Sequence, residues 1–165
     1  MDHGPGSYTG LRVGITCAKT LAFAAGASLA TAGSLEVVAY NSPPGEQFVE
    51  VAFDAARGQV FAGRFCRDVD SLTALDEVRI VTAEDWARGL DPSALIIGPA
   101  LEKYRRLGPA TLRIADESDW WPRADRVIQL GLRQFRTHPL SEYFTLEPLY
   151  LRPSAAEEKT RGPNV

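Results

Sequence analysis

The sequence predicts a mixed α/β domain, and three observations carry that prediction. Two alternating stretches, "FVEVAFD" at 48–54 and "GQVFAGRF" at 58–65, flank a short link and read as an antiparallel hairpin. "ALIIG" at 94–98 is a continuous apolar run, as expected of a strand covered on both faces. Helical patterns precede and follow these strands, so antiparallel pairing gives way to strand–helix alternation.

The elements follow in order. Ser7 is a good N-cap, residues 8–25 read as a helix, and Gly26 is its C′ residue. "SLATAG" reads as a short strand, after which Ser34 caps a second helix over 35–40. "NSPPGEQ" is a loop. After the hairpin, "DEVRIV" predicts a third strand, and Thr82 caps a helix whose Glu84 and Asp85 suit its positive end. "ALEKYRRL" predicts a helix and "TLRIAD" a strand. Pro122 opens the last long helix, which runs to about Arg136 with Val127, Leu130 and Phe135 on its apolar side. "LEPLYLRP" reads as a final extended segment before a polar tail.

Composition narrows the function classes. Of 165 residues, 45% are hydrophobic and 24% charged, enough for an ordinary core. Net charge is −3, so strong nucleic-acid binding by this chain alone is not expected, because neutralising phosphates takes clustered Lys and Arg. The paired arginines (Arg105 and Arg106, Arg123 and Arg126, Arg133 and Arg136) read as solvated helix faces. Cys17 and Cys66 lack metal or disulfide spacing and read as buried thiols. No apolar run spans a membrane, since the longest, 21–32, is broken by Gly26. No signal peptide is read, and the expected location is the cytoplasm.

The opening stretch "GPGSYTGLRVGITCAK" holds the main candidate residues. Gly4, Gly6, Ser7 and Thr9 form a turn at a helix N-terminus, where free N–H groups suit an anion. Read from the residues alone, a turn and a cap are preferred, and no P-loop spacing is present. Gly10, Gly14, Ala18 and Ala22 recur every four residues. A helical glycine costs about 1 kcal/mol relative to alanine, so this stripe calls for close approach of another backbone. Packing within the chain is preferred over packing against a partner.

Four segments in order resemble the TsaB family, also called YeaZ. These are the stretch from Gly4 to Asn41, "FDAARGQVFAGRF", "LIIGPALEKYRRL" and "EPLYLRP". The resemblance implies an actin-like, sugar-kinase-like ATPase (ribonuclease H-like) fold. It also implies a non-catalytic scaffold in tRNA N6-threonylcarbamoyladenosine synthesis, one that docks a TsaD-like partner and, through it, a TsaE-like ATPase. Gly10, Gly14, Ala18 and Ala22 become the candidate partner interface. TsaD carries a His-x-x-x-His metal pair on its second helix, where this chain has Ser34 and Val38. Neither replaces an imidazole. His3 and His138 are far apart in sequence, so no metal, cofactor or peptidase activity is expected. The alternatives are an M22 glycoprotease-like metallopeptidase and a nucleotide-binding module of the same fold. Asp54, Arg57 and Gly58 read as the hairpin turn, with Arg57 a lesser candidate for a residual site.

Family members begin with strands and a helix ahead of the Gly-Pro-Gly-Ser turn, carrying the first phosphate loop. The resemblance therefore implies a fold truncated at its N-terminus: residues 1–40 as the remnant of a first lobe, 41–153 as a second α/β lobe, and 154–165 as a flexible tail. A surface left uncovered in this way is expected to be hidden by a homo-oligomer.

Overall fold

Strand β1 (Phe48–Asp54) organises the molecule. The computed structural model describes residues 1–69, 71–137 and 143–151. Strand β1 pairs antiparallel with β2 (Gln59–Asp68) over seven positions, from Phe48 opposite Cys66 to Asp54 opposite Val60. On its other side it pairs parallel with β5 (Leu95–Ile97), Val51 opposite Ile97. The outer edge of β2 is shared by two short strands, β3 (Ser71–Ala74) and β4 (Arg79–Thr82). Strand β6 (Arg113–Ile114) pairs with β5, giving a six-stranded mixed sheet of order β3-β2-β1-β5-β6 with β4 beside β2.

Helices cover both faces. Leu35 of α2 (Ser34–Ala39) lies against Gly63, the cross-strand partner of Val51. Glu50 points the opposite way, toward Trp86 of α3 (Ala83–Arg88). The apolar core joins Leu35, Val37 and Val38 to Val49, Val51, Ile96 and Ile97, and extends to Leu101, Trp120 and Leu130. Helix α1 (Tyr8–Ala25) runs from its Ser7 cap to Gly26, whose left-handed conformation closes the helix as expected. Helix α4 (Leu101–Tyr104) is short and passes into a 3₁₀ turn, so only the first half of "ALEKYRRL" is α-helical. Helix α5 (Ala124–Thr137) starts two residues after Pro122.

Several expectations are corrected. "SLATAG" forms no strand: Ala32 makes an isolated parallel bridge to Asp2, and Met1 and His3 bond the same stretch. Ser34 is not the cap of α2. Gly33 occupies that position, and the Ser34 hydroxyl donates to Asp2 Oδ1 at 2.7 Å. Of the predicted third strand "DEVRIV" only the second half is extended, within β4, and β3 ahead of it is an additional strand that the sequence reading did not include. On α5, Leu130 is buried and Val127 packs on the core, but Phe135 is exposed together with Ile128 and Leu132. Cys17 is exposed rather than buried. His138 and the 154–165 tail lie outside the described residues. Among those described, no helix is long and apolar enough to cross a membrane.

Two features of β1 lead to measurements. Gly98 follows β5 with φ +125°, and a Cβ there would stand 2.3 Å from the Ala52 carbonyl oxygen. That oxygen accepts the Ala100 N–H at 3.1 Å, so neither backbone can retreat without losing a bond. Gly98→Ala is expected to lower unfolding free energy by at least about 3 kcal/mol in urea titrations, combining backbone strain with overpacking.

Glu50 is 2% exposed, with Trp86 Nε1 donating to it at 3.2 Å and the Arg79 guanidinium forming an ion pair with it at 3.9 Å. Burial pushes its carboxyl up to about 7, against the opposing pull of Arg79, Arg64 and the indole N–H. The folded state therefore holds the proton more tightly than the unfolded chain. The stabilisation is full below the ordinary carboxylate range and is lost as pH rises to about 7. Between pH 4.5 and 8, Glu50→Gln is expected to gain about 3 kcal/mol relative to the parent chain, read as the change in their stability difference.

Candidate functional site

The Gly4–Ser7 turn is fixed from below. Asp2 Oδ1 accepts the Gly4 N–H at 2.9 Å and the Ser34 hydroxyl, while the Ser34 N–H donates to the Gly4 carbonyl at 2.9 Å. Gly4 has φ +112°, a conformation that glycine adopts without strain. Ser7 Oγ accepts the Gly10 N–H at 3.3 Å, as a cap does. Gly6, Ser7 and Thr9 are exposed.

The turn forms one wall of a cleft of about 540 Å³, whose other walls include Phe53, Asp54, Lys103 and Trp121. Its ionisable groups are Asp2, Asp54 and Glu102 against Lys103. Lys103 Nζ lies 3.5 Å from Asp54 Oδ2, and Asp54 Oδ1 accepts from Ala56 N–H and the Tyr104 hydroxyl. Three carboxylates beside one paired lysine favour a cation over a phosphate in this cleft. The positions aligned with the histidine pair, Ser34 and Val38, are both buried. Among the described residues no group of three or more His, Cys, Asp or Glu side chains is placed to hold a metal ion.

Helix α1 presents three faces. Ile15 and Ala22 are buried against the body. Residues 8, 12, 19 and 23 share a second face, and the segment 143–151 lies along it. Tyr8 and Tyr150 stack at 4.6 Å, and Arg12 Nε donates to the Tyr150 hydroxyl at 2.9 Å. Lys19 donates to the Phe144 carbonyl at 2.7 Å, and Phe23 meets Phe144 edge-on. The third face carries Gly10, Val13, Gly14, Cys17 and Leu21. Val13 is 59% and Leu21 70% exposed, and a Cβ on Gly14 would meet nothing within 4 Å. A Cβ on Gly10 would meet only Ser7 of its own cap.

Among the described residues the expectation that the small-residue stripe packs within the chain is thus not met at Gly10 and Gly14, and holds at buried Ala22. Ala18 is half-buried between them. The sequence reading missed the Arg12–Tyr8–Tyr150 cluster. Its two aromatic rings were visible, but the sequence separation of 138 between Arg12 and Tyr150 hid the pairing.

A family model described as "TsaD: tRNA N6-adenosine threonylcarbamoyltransferase" matches residues 2–103. Over 163 residues the chain is 31% identical to the tRNA threonylcarbamoyladenosine biosynthesis protein TsaB of Bacillus subtilis, covering 94% of this chain and 69% of that protein. The chain belongs to the TsaB/YeaZ family. The Escherichia coli TsaB protein is 26% identical over 167 residues, which covers 97% of this chain and 72% of that one. Two solved structures share the fold. A Pseudomonas aeruginosa protein described as similar to peptidase YeaZ superposes with a TM-score of 0.77 at 25% identity, over 92% of this chain and 71% of that one. YeaZ from Pseudomonas aeruginosa gives 0.76 at 22% identity, over 91% and 72%. The mixed sheet and its covering helices are thus the actin-like fold of the TsaB/YeaZ family.

Because Gly14 has open space around it, Gly14→Ala is expected to raise the unfolding free energy of the isolated chain by about 1 kcal/mol, measured by chemical denaturation in dilute solution.

Proposed function

We propose that this chain is a non-catalytic scaffold subunit of tRNA N6-threonylcarbamoyladenosine biosynthesis, docking a TsaD-like catalytic partner through the third face of α1. One observation carries the reading. A helix holds two glycines in its interior at a cost to its own stability, yet among the described residues only Ser7 of its own cap lies near one of them and nothing near the other. Apolar Val13 and Leu21 flank them in solvent. A partner helix could approach closely there and bury both side chains. In the partner's absence two copies of this chain could pair by the same face, which makes a homo-oligomer the expected state of the isolated protein. A TsaE-like ATPase would join through the partner, in the cytoplasm.

A metallopeptidase reading needs imidazole ligands where Ser34 and Val38 stand buried. A nucleotide-binding reading needs a phosphate site in a cleft lined by Asp2, Asp54 and Glu102. Support for the scaffold is therefore stronger than for either alternative.

The test is co-elution of this chain with the TsaD-like protein of the same cell. Leu21→Glu is expected to weaken the complex by about thirtyfold, roughly 2 kcal/mol, while leaving the thermal midpoint of the isolated chain unchanged. Unaltered binding by the variant would remove α1 from the interface. Absence of binding by the parent chain would end the scaffold reading and turn attention to zinc content and ATP titration.

A further inference from the structure

A second cavity, of about 510 Å³, lies between α2 and α5 and has no part in the docking proposed above. It is lined by His3, Glu36, Tyr40, Arg133 and Gln134 among others. Its polar groups are pre-positioned. Arg133 donates one guanidinium N–H to the Tyr40 hydroxyl and sits 5.7 Å from that ring's centre, so the side chain is anchored along one edge. Its remaining N–H groups have no hydrogen-bond partner among the described residues.

The Tyr40 hydroxyl already accepts from Arg133 and from the Leu72 N–H at 3.1 Å. Its own proton is therefore free to be donated. Gln134 Oε1 accepts from the Thr31 N–H and hydroxyl, and the amide NH₂ has no partner among the described residues. His3 Nδ1 lies 2.8 Å from the Ala32 carbonyl and donates to it, which leaves Nε2 without a hydrogen-bond partner among the described residues.

Glu36 shares this cavity with Arg133, and no ion pair joins the two. Burial raises the Glu36 carboxyl above its usual range, opposed by Arg133, the Gly33 backbone and His3. A half-buried carboxylate from α2 and a half-anchored guanidinium from α5, lining one cavity but unpaired with each other, suit a ligand that carries both charges. A phosphate would satisfy Arg133 but meet repulsion from Glu36. A plain amine would leave the arginine donors and the tyrosine proton unmet.

We infer that the cavity between α2 and α5 binds a small zwitterion of the α-amino-acid class, its carboxylate held by Arg133 and Tyr40 and its ammonium group by Glu36. Charge-assisted bonds at both ends supply affinity and reject molecules that bear only one of the two groups. The site shares no lining residue with the cleft beside the Gly4–Ser7 turn or with the open face of α1, so it stands or falls independently of the scaffold reading.

The test is titration of the full chain with the common α-amino acids, followed by NMR chemical shifts or calorimetry. At least one is expected to bind with Kd of about 1 mM or tighter. Its deamino and decarboxy analogues, such as propionate and ethylamine for alanine, are expected to bind about tenfold or more weakly. Glu36→Gln should abolish the preference for the amino acid over its deamino analogue while the circular dichroism stays that of the parent. Arg133→Lys, which keeps the charge but loses the planar fork, should weaken binding about tenfold and leave the ammonium preference in place. The inference is overturned if no amino acid binds at about 10 mM. It is also overturned if the single-charge analogues bind equally well, or if Glu36→Gln leaves the preference intact.

Discussion

The contact between Gly98 and the Ala52 backbone sets the position of much else in this protein. Strand β1 carries antiparallel β2 on one side and parallel β5 on the other, and β5 must end with its chain turning across the β1 backbone. Only a residue without a Cβ passes there, and the Ala100 N–H then closes on the Ala52 oxygen. From that crossing α4 begins, and with it Lys103 and Tyr104 reach Asp54 at the hairpin. The cleft's acidic wall thus descends from one backbone approach in the middle of the sheet.

The opening segment and the described stretch 143–151 are joined to the body largely by polar bonds. Asp2 ties the opening turn to the start of α2, and the stretch Met1–His3 is bonded to residues 30–32. The Leu149 N–H then donates to the His3 carbonyl at 2.8 Å, joining the closing segment to the opening one. Asn41 does the same work elsewhere, its amide bridging the carbonyls of Asp119 and Trp121 to the end of α2. Each such clamp joins residues far apart in sequence, where a directional bond specifies geometry that apolar contact alone leaves loose.

Elements with local causes were legible in the sequence. Ser7 and Gly26 bound α1 because caps act within a few residues, and Thr82 bounds α3 for the same reason. The hairpin and the β5 run were visible as period-two alternation and continuous apolarity. What failed was set by distant partners. Ser34 has the chemistry of a cap, but its hydroxyl is taken by Asp2, 32 residues away. Strand β3 is four residues long with half its positions exposed, too short and polar to announce itself, and it exists because β2 offers an edge. The glycine stripe was readable as a demand for close packing, but whether that demand is met inside the chain depended on where α1 sits. The acid and base of the second cavity, Glu36 and Arg133, come together only through the packing of α2 on α5.

Helix α1 buries only Ile15 and Ala22 of its 18 residues, and is otherwise held by its caps and by the aromatic and cationic contacts of the closing segment. Its amides therefore belong to the least protected part of the molecule, opening to solvent without unfolding of the sheet. Those of β1 and β5 open only when the core itself does. The surface proposed to accept another helix is thus carried on an element with few core contacts. Whatever settles on it would slow hydrogen exchange along the whole length of α1, well beyond the residues it touches.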